Sequence, residues 1–460
     1  MSSMPQNFQD AVLVTRLLGL RYLWIDSLCI IQDSKSDWEI EGSKMDQVYK
    51  NAYVTLAATS AATSHDGFLR RNPAPENPIT LAYYSRDRSL CHSMVYLAVN
   101  DGHINPFETS VDCAAWNDRG WTFQERYLSQ RVLHFCKDQA YFECDTVYKT
   151  ESNDPVPFVP MGSMISPSDS EVTSSTASVE LLDESDLVGV DERNTEPAIE
   201  NVANLEEGHT TDTIVRASNR LYERWYRLAA QYSNRKLTYG SDKLPAISGL
   251  AREMAQSTHD EYLAGIWKGD LSQGLLWIWR DNGDALRQPE RYRGPSWSWV
   301  SLDGQITWQN REDPSNMSLW APQSEPVLRF VEADIHTPND NPYGWASKAV
   351  LKVYAAIVPV SIHEGKVKSR FGHFPYDLEH NGVTIGAGNL DPRNTNLSSD
   401  NNWCLQVEQQ YQGDNTNEDT WSGLLLEGSG GSFRRVGVFY LLEGMLDFFK
   451  NHEARTLDLI

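Results

Sequence analysis

The sequence predicts an α/β fold in which an N-terminal domain with a partly parallel sheet is followed by a helical, tryptophan-rich segment and a β-rich C-terminal region. In the first 150 residues, compact apolar runs alternate with amphipathic helical patterns, which is typical of βαβ units. From residue 349 onward, alternating apolar and polar residues predict successive strands. The chain of 460 residues is 40% hydrophobic, which is enough to bury the cores of several domains.

The N-terminal elements follow from hydrophobic spacing. Apolar residues recur at helical intervals from Phe8, and Gly19 stands where a helix C-cap is expected. The run YLWIDSLCII, residues 22–31, is aromatic and β-branched and predicts a buried strand. Acidic residues followed by spaced apolar residues predict one helix over residues 34–52, and YVTLAAT, residues 53–59, predicts a second strand. A strand, a helix and a strand with short links predict a parallel crossover.

The rest of this domain is less regular. Four prolines between residues 70 and 110 interrupt any long helix, so we expect loops and edge strands there. A helical pattern covers Trp121–Leu128. The runs RVLHFC (131–136) and AYFEC (140–144) then predict two strands.

Composition divides the chain into four parts. Residues 1–150 form the predicted α/β domain, and residues 151–212 are acidic and serine-rich. Up to Thr210 this second part contains 14 Asp or Glu against one Arg, a net charge of 1 − 14 = −13, so we expect a disordered insertion. Helical and tryptophan-dense patterns mark a third part at residues 213–305, and strand patterns mark the fourth at residues 306–460.

Charge and composition exclude several classes of function. A net charge of −23 and a pI near 4.9 repel polyanions, so we expect neither nucleic-acid binding nor binding to anionic membranes. The sequence has no basic, apolar leader and no apolar run of about 18 residues. Six cysteines without a CxxC pair fit a reducing compartment. We therefore expect a soluble cytoplasmic protein.

Two short motifs have structural explanations. The glycine-rich run GSGGS at residues 428–432 lacks the Lys and Ser/Thr of a phosphate-binding loop, and flanking strand patterns favour a hairpin turn. His134, Cys136 and Cys144 suggest metal ligands or a thiol site, but the alternation in RVLHFC favours a buried strand. Neither GxSxG nor HExxH occurs, so we expect no serine hydrolase and no metal centre.

Asp26 and Glu41 are candidate acids. Asp26 lies inside an apolar run, where an unpaired carboxylate is costly to bury, so it either faces a cleft at the carboxyl end of a strand or pairs with a basic residue. The basic candidates are Arg21, Arg119 and Arg126. Trp38 and Glu41, three residues apart, either supply an aromatic ring and an acid to the same cleft or belong to a helix whose early acids compensate its dipole.

Glu125 is the third candidate acid. It follows Trp121 by four residues, so the two side chains occupy neighbouring positions on one helix face. A carboxylate partly desolvated by an indole has a raised pKa and can act as a base or stabilise a cationic transition state. The alternative is a surface acid paired with Arg126 or Arg131.

Several ordered motifs resemble the HET (heterokaryon incompatibility) domain of filamentous fungi. These motifs are LGLRYLWIDSLCIIQDSKSDWEIEGSKMDQVYKNAYVTLAATSA, GFLRR and RGWTFQERYLSQRVLHF. The motifs DKLPAISGLA, YLAGIW, LLW and PSWSWVS resemble the region that follows this domain in many family members. The resemblance covers most of residues 7–150 and 220–305.

This resemblance implies a nonself-recognition protein whose HET domain is a toxic effector of programmed cell death. HET domains in turn resemble Toll/interleukin-1 receptor (TIR) domains, which are flavodoxin-like and include enzymes that cleave NAD at its nicotinamide bond. Those enzymes carry a helix with Trp, three intervening residues and a catalytic Glu, which WTFQE matches at Trp121 and Glu125. The resemblance therefore assigns catalysis to Glu125 and substrate binding to Trp121, Asp26, Arg119 and Glu41, with NAD as a substrate and no cofactor.

The start of the sequence departs from the family pattern. HET domains usually begin with a strand resembling LSxxWG, whereas this sequence begins MSSMPQNFQDA, so we expect that first strand to be missing. Two functional classes stay open. The protein is either an NAD nucleosidase activated by self-association, or a catalytically inactive TIR-like module that signals by assembly with itself or with other incompatibility proteins.

Overall fold

A computed structural model describes most of the chain outside the acidic segment. The described residues are 4–70, 79–84, 89–95, 107–137, 139–151, 211–279, 289–308, 324–338, 341–365, 375–391, 401–410, 423–445 and 447–460. The predicted disordered insertion falls outside them except at its two ends, as do several stretches of the predicted loops between residues 70 and 110.

The N-terminal part mixes helices and short strands. Its helices are α1 (Gln6–Leu17), α2 (Asp26–Cys29), α3 (Lys35–Gly42), α4 (Met45–Asn51) and α5 (Gly120–Leu128), with a short π-helix at Glu108–Asp112. Its strands are β1 (Thr55–Ala57), β2 (Ile79–Tyr84), β3 (Leu90–Val95), β4 (Arg131–Phe135), β5 (Ala140–Cys144) and β6 (Tyr148–Thr150). Helix α1 is followed by Gly19 in the left-handed region (φ +71°), which confirms the predicted C-cap.

The first sheet has the order β1-β4-β5-β6. Strands β1 and β4 are parallel, with Thr55 opposite Val132, and the other pairs are antiparallel. Helix α1 covers this sheet by packing Val14 against Phe68 and Phe135. Strands β2 and β3 form a separate antiparallel pair. The predicted α/β class with a partly parallel sheet is thus confirmed at this level.

The buried strand predicted over residues 22–31 is wrong. The backbone is extended at Ile25 and then turns into helix α2, and this segment pairs with no strand among the described residues. Tyr22 and Ile31 are 85% and 58% exposed. An apolar run becomes a strand only where another strand supplies hydrogen-bonding partners, and the local sequence does not specify whether such a partner is near.

The single helix predicted over residues 34–52 is also wrong, because the chain forms two helices, α3 and α4. They are separated at Ser43 and Lys44, directly after Gly42. The Ser43 hydroxyl donates to the carbonyl of Ile40 at 2.7 Å, so it competes for a helical acceptor. Glycine adds a further entropic cost to a continuous helix at this point.

The tryptophan-rich segment is mostly helical. Its elements are α6 (Thr211–Ser233), α7 (Ser248–Thr258), α8 (Leu271–Leu275), β7 (Tyr262–Leu263), β8 (Ile266–Trp267), β9 (Trp277–Trp279) and β10 (Ile306–Trp308), with 3-10 turns at Gly240–Lys243, Pro245–Ile247 and Trp299–Ser301. Helices α6 and α7 account for the helical patterns predicted in this part of the chain. Five indoles are fully buried: Trp225, Trp267, Trp277, Trp297 and Trp299.

The C-terminal region is β-rich, as predicted. Its strands are β11 (Ser324–Pro326), β12 (Arg329–His336), β13 (Lys348–Pro359), β14 (Ser361–Glu364), β15 (Tyr376–His380), β16 (Val383–Leu390), β17 (Asn402–Gln406), β18 (Glu408–Gln410), β19 (Gly423–Ser429), β20 (Ser432–Leu441) and β21 (Ala454–Leu459), with 3-10 turns at Glu443–Met445 and Phe448–Asn451. Nine of these strands form one sheet. Gly430 and Gly431, with φ of +65° and +99°, join β19 to β20, which confirms the predicted hairpin turn.

One hydrophobic core runs through all three ordered parts of the chain. It includes Phe123 of α5, Trp225 of α6 and Leu459 of β21. Phe123 packs on Tyr232, with 5.4 Å between ring centroids, and Tyr232 packs edge-on against Trp299 at 6.1 Å. Helix α5 therefore depends on the tryptophan-rich segment for part of its burial.

A buried arginine joins the C-terminal sheet to the tryptophan-rich segment. The guanidinium of Arg435 is fully buried, and its Nε donates to the Asp391 carboxylate at 3.1 Å. It also donates to the carbonyl of Leu275 at 2.7 Å and lies 3.3 Å from the centre of the Trp277 ring. Each partner supplies an acceptor or a π face, so the charge is fully compensated.

Replacing Arg435 with Ala is expected to lower the free energy of unfolding by about 3–5 kcal/mol, because the Asp391 carboxylate would be left buried without its partner. Urea denaturation followed by tryptophan fluorescence measures this change. The matched control is the exposed neighbour Arg434, whose replacement by Ala should cost roughly 0.5 kcal/mol or less. Equal losses for the two variants would show that the buried pair has no special role.

Candidate functional site

Helix α5, which carries the predicted catalytic acid, is fixed in place at its N-terminal end. The N–H of Gly120 donates to the carbonyl of Lys236 at 2.8 Å. A side chain at this glycine would collide with Leu237, so the helix begins in close contact with the chain that follows α6. The Thr122 hydroxyl lies 2.8 Å from the carbonyl oxygen of Arg119, which closes the first turn.

On its buried side, α5 is anchored by Arg126. The guanidinium donates to both oxygens of Glu143, at 2.8 and 3.1 Å, and to the Asp112 carboxylate at 2.7 Å. It also lies 5.5 Å from the centre of the Phe107 ring. A bidentate pair of this kind fixes the orientation of the arginine, and hence the rotation of the helix that carries it.

His134 completes this buried cluster. Its Nε2 lies 2.7 Å from a Glu143 oxygen and its Nδ1 lies 3.3 Å from the Thr59 hydroxyl. Burial lowers the pKa of His134, which favours the neutral ring. Burial also raises the pKa of Glu143, but Arg126 and His134 outweigh this effect and lower that pKa to about 2. The predicted buried strand at His134 is thus confirmed, and its imidazole belongs to an ion cluster.

Glu125, adjacent to Arg126 in sequence, has a separate set of neighbours. Tyr49 of helix α4, Asp26 and Arg119 are the groups that act on its carboxyl group. Burial raises the pKa of Glu125 to about 7, Arg119 lowers it, the carboxylate of Asp26 raises it, and Tyr49 lowers it. The side chain is half-buried. Glu125 is therefore a desolvated carboxyl group that titrates near neutral pH.

Several aromatic rings lie on helix α5 and on the elements next to it. Trp121, one turn earlier in α5, is half-buried, and its indole N–H donates to Asp242 at 3.2 Å. Trp38 of α3 meets Trp121 edge to face, with 6.1 Å between ring centroids. Trp24 meets Tyr49 in the same manner at 5.7 Å. Since Trp38 is 37% exposed, this group of rings reaches the protein surface.

Four of the five predicted site residues lie near Glu125 or are Glu125 itself. Asp26 and Arg119 are close enough to act electrostatically on Glu125, and Trp121 lies one helical turn from it. Asp26 stands at the first position of helix α2 and not in a strand, because the predicted strand does not form. Glu41 is the exception. Its carboxylate pairs with Lys44 at 2.9 Å, and it is not among the groups that shift the pKa of Glu125.

The alternative environment considered for Glu125, a surface ion pair with Arg126 or Arg131, does not form. Arg126 is bound to Glu143 and Asp112. Arg131 donates to the carbonyl of Tyr53 at 3.3 Å. Neither arginine neutralises Glu125, which is consistent with its raised pKa.

The family of the N-terminal part is now clear. Residues 1–125 match the family model described as heterokaryon incompatibility protein (HET). The N-terminal part of this chain matches the HET family. The expected family is confirmed over these residues, and it indicates a function in heterokaryon incompatibility. No curated protein and no solved structure gives a match.

The described part of the chain has neither a membrane-spanning helix nor a cluster of metal-binding side chains. No helix there has the length and apolar character needed to cross a membrane. No group of three or more His, Cys, Asp or Glu side chains is arranged to hold a metal ion among the same residues.

Tyr49 and Trp24 are the site residues that the sequence did not predict. Tyr49 is one of the spaced apolar residues in the helical pattern over residues 34–52, and Trp24 lies in the run predicted as a strand. Helices α4 and α5 pack together although they are far apart in sequence. No local pattern signals such a contact.

Replacing Glu125 with Gln is expected to make the protein more stable at pH 8. The folded pKa of about 7 exceeds the usual 4.5, so the stability that Glu125 contributes is present below pH 4.5 and is lost as the pH rises through about 7. The amide carries no charge to desolvate, and we expect a gain of about 1–2 kcal/mol at pH 8. Thermal unfolding at pH 5 and pH 8 measures it. A gain of the same size at both pH values would contradict a buried charge at this position.

Proposed function

We propose that this protein is an effector of heterokaryon incompatibility that cleaves NAD at the nicotinamide bond, with Glu125 as the catalytic carboxylate. The observation that carries the proposal is the environment of Glu125, a half-buried carboxyl group of raised pKa that lies one helical turn from Trp121. The HET match supports the biological role. The Trp121 and Glu125 spacing, which resembles that of NAD-cleaving TIR enzymes, supports the reaction.

The chemistry requires a group of this kind. When the bond between C1′ of the ribose and the nicotinamide nitrogen breaks, its electron pair leaves with nicotinamide, and C1′ acquires oxocarbenium character. An ionised Glu125 stabilises that cation and then accepts a proton from the water that attacks C1′. The products are nicotinamide, ADP-ribose and a proton. A half-buried carboxylate interacts more strongly with a developing cation than an exposed one does.

Other side chains around Glu125 suit the remainder of the substrate. Trp121 and Trp38 offer aromatic surfaces to the planar rings of NAD. The exposed guanidinium of Arg119 is suited to the pyrophosphate, and the carboxylate of Asp26 to ribose hydroxyls. We extend the proposal to a TIR-like arrangement of the domain, which the parallel pairing of β1 and β4 supports.

A second function, that of a non-enzymatic assembly module, is favoured by a different observation. Large apolar side chains are unusually exposed in the HET domain. They include Leu17, Tyr22, Leu28, Ile31 and Tyr53, which are between 56% and 85% exposed. In this second proposal, the surface that they form mediates self-association or binding to other incompatibility proteins, and Glu125 has no chemical role.

Replacing Glu125 with Gln is expected to reduce NAD cleavage by about 100-fold or more, because the amide cannot stabilise the cation or accept a proton. The assay follows nicotinamide release by chromatography with the purified full chain. The matched control is Glu261 to Gln, which alters an exposed acid paired with Lys268 and should leave the rate unchanged.

The same variants distinguish the two functions in cells. If Glu125 to Gln abolishes both NAD consumption and cell killing on expression in a fungal host, the effector is an enzyme. If the wild-type protein consumes no NAD and the Glu125 to Gln variant still kills cells, the enzyme proposal is wrong and the result supports the assembly module.

The pH dependence of cleavage follows from the pKa of Glu125. Its ionised form is the active one, and with a pKa of about 7 the ionised fraction rises steeply between pH 6 and 8. We therefore expect kcat/KM to increase about tenfold over this interval. Initial rates at low NAD concentration measure the profile. A flat profile, or one that falls with rising pH, would argue against a carboxylate of raised pKa as the catalytic group.

A further inference from the structure

A side chain of the tryptophan-rich segment binds Trp121 of the candidate site. Asp242, the first residue of the motif DKLPAISGLA at 242–251, lies in the 3-10 turn Gly240–Lys243. Its Oδ2 accepts the indole N–H of Trp121 at 3.2 Å. Because the family match covers residues 1–125, Trp121 lies inside the matched part of the chain and Asp242 lies outside it.

The turn that carries Asp242 is fixed by the buried side chain of Lys243. The ammonium group of Lys243 donates to the carbonyl of Leu302 and lies 5.6 Å from the centre of the Trp299 ring. The backbone carbonyl of Lys243 accepts from the Tyr232 hydroxyl at 2.7 Å. The carboxylate of Asp242, the preceding residue, therefore extends from a backbone that is held by buried polar contacts.

The same segment also fixes the start of helix α5. The N–H of Gly120 donates to the carbonyl of Lys236 at 2.8 Å, and the N–H of Lys236 donates to the carbonyl of Asp118 at 2.7 Å. The guanidinium of Arg235 adds a bond to the side-chain oxygen of Asn117 at 2.9 Å. The indole and the carboxylate that binds it thus belong to two backbones that are joined directly to each other.

The bond restricts the orientation of the Trp121 ring. An indole turns about two side-chain torsions, and this one is half-buried, so packing covers only part of it. Asp242 holds its N–H edge, and Trp38 meets it at an angle of 89° with 6.1 Å between ring centroids. A ring that is ordered in advance loses less entropy on binding a planar partner than a ring that must be ordered by the partner.

We propose that Asp242 is a positioning residue for Trp121, and that its hydrogen bond holds the indole in the orientation that binds a planar ring of the substrate. The effect on NAD binding rests on the proposed function, whereas the orientation of the indole does not. The candidate site is then completed by a residue that the HET match does not include.

The first experiment uses the wild-type full chain without NAD. Tryptophan is labelled with ¹⁵N at the indole nitrogen, and the signals of Trp121 and Trp38 are assigned by their absence in Trp121→Phe and Trp38→Phe. The indole proton of Trp121 should exchange with water about tenfold more slowly than that of Trp38, which is 37% exposed, because the bond to Asp242 must open first. Equal rates would overturn the proposal.

Variants of Asp242 then test the acceptor itself. Asp242→Ala should make the Trp121 indole proton exchange about tenfold faster, whereas Asp242→Asn keeps an acceptor oxygen and should stay within about threefold of the wild-type rate. The control is Asp447→Ala, which removes an exposed aspartate paired with Lys450 and should leave the rate unchanged. An unchanged rate in Asp242→Ala, or equally fast exchange in both Asp242 variants, would overturn the hydrogen bond as the positioning contact.

Kinetics with NAD separate positioning from a purely structural role. Asp242→Ala should raise KM for NAD about fivefold and leave kcat within about twofold, because Trp121 contacts the substrate and the transition state alike. A lower kcat and a lower melting temperature with an unchanged KM would assign Asp242 a structural role only and overturn the proposal. If the wild-type protein releases no nicotinamide, the proposed function fails, and the exchange rates still decide whether Asp242 orients Trp121. The wild-type exchange measurement also stands if Asp242→Ala does not fold.

Discussion

The buried guanidinium of Arg126 is the interaction on which the candidate site depends. Taking this charge out of water is costly, and the cost is offset only because Glu143 and Asp112 meet it with direct hydrogen bonds. Those bonds link helix α5 to strand β5 and to the π-helix before it. Once Arg126 is fixed, the rotation of α5 is fixed, and so is the side of the helix from which Glu125 projects.

Adjacent residues on one helix therefore have opposite electrostatic situations. The charge of Arg126 is fully compensated by Glu143 and Asp112. The side chains of this cluster are bound to one another. Glu125 is undercompensated, because burial and Asp26 oppose its charge more than Arg119 and Tyr49 favour it. This contrast is typical of functional sites, where a rigid, satisfied framework holds one group in an unfavourable environment. Helix α5 thus stabilises the fold through Arg126, and it carries at Glu125 a carboxylate whose charge is only partly compensated.

The sequence predicted those features that depend on local pattern. Helices α1 and α5, strands β4 and β5, and the hairpin at Gly430 and Gly431 all follow from spacing, caps or turn residues, and the family resemblance identified the HET domain before the fold was known. Prediction from the sequence was wrong or incomplete where the structure depends on contacts between residues that are far apart in the chain. The apolar run at 22–31 has no strand to pair with among the described residues, and helices α4 and α5 lie together although no local pattern encodes their proximity.

The shared core has a consequence for the order in which the protein becomes competent. Phe123 of α5 belongs to a hydrophobic cluster that includes Leu457 and Leu459 of β21, and these residues leave the ribosome long after the HET domain has been made. A nascent chain holding only the N-terminal part lacks the surfaces that bury α5, and it also lacks α7. The burial of α5, and with it the environment of Glu125, is therefore complete only after strand β21 has been made.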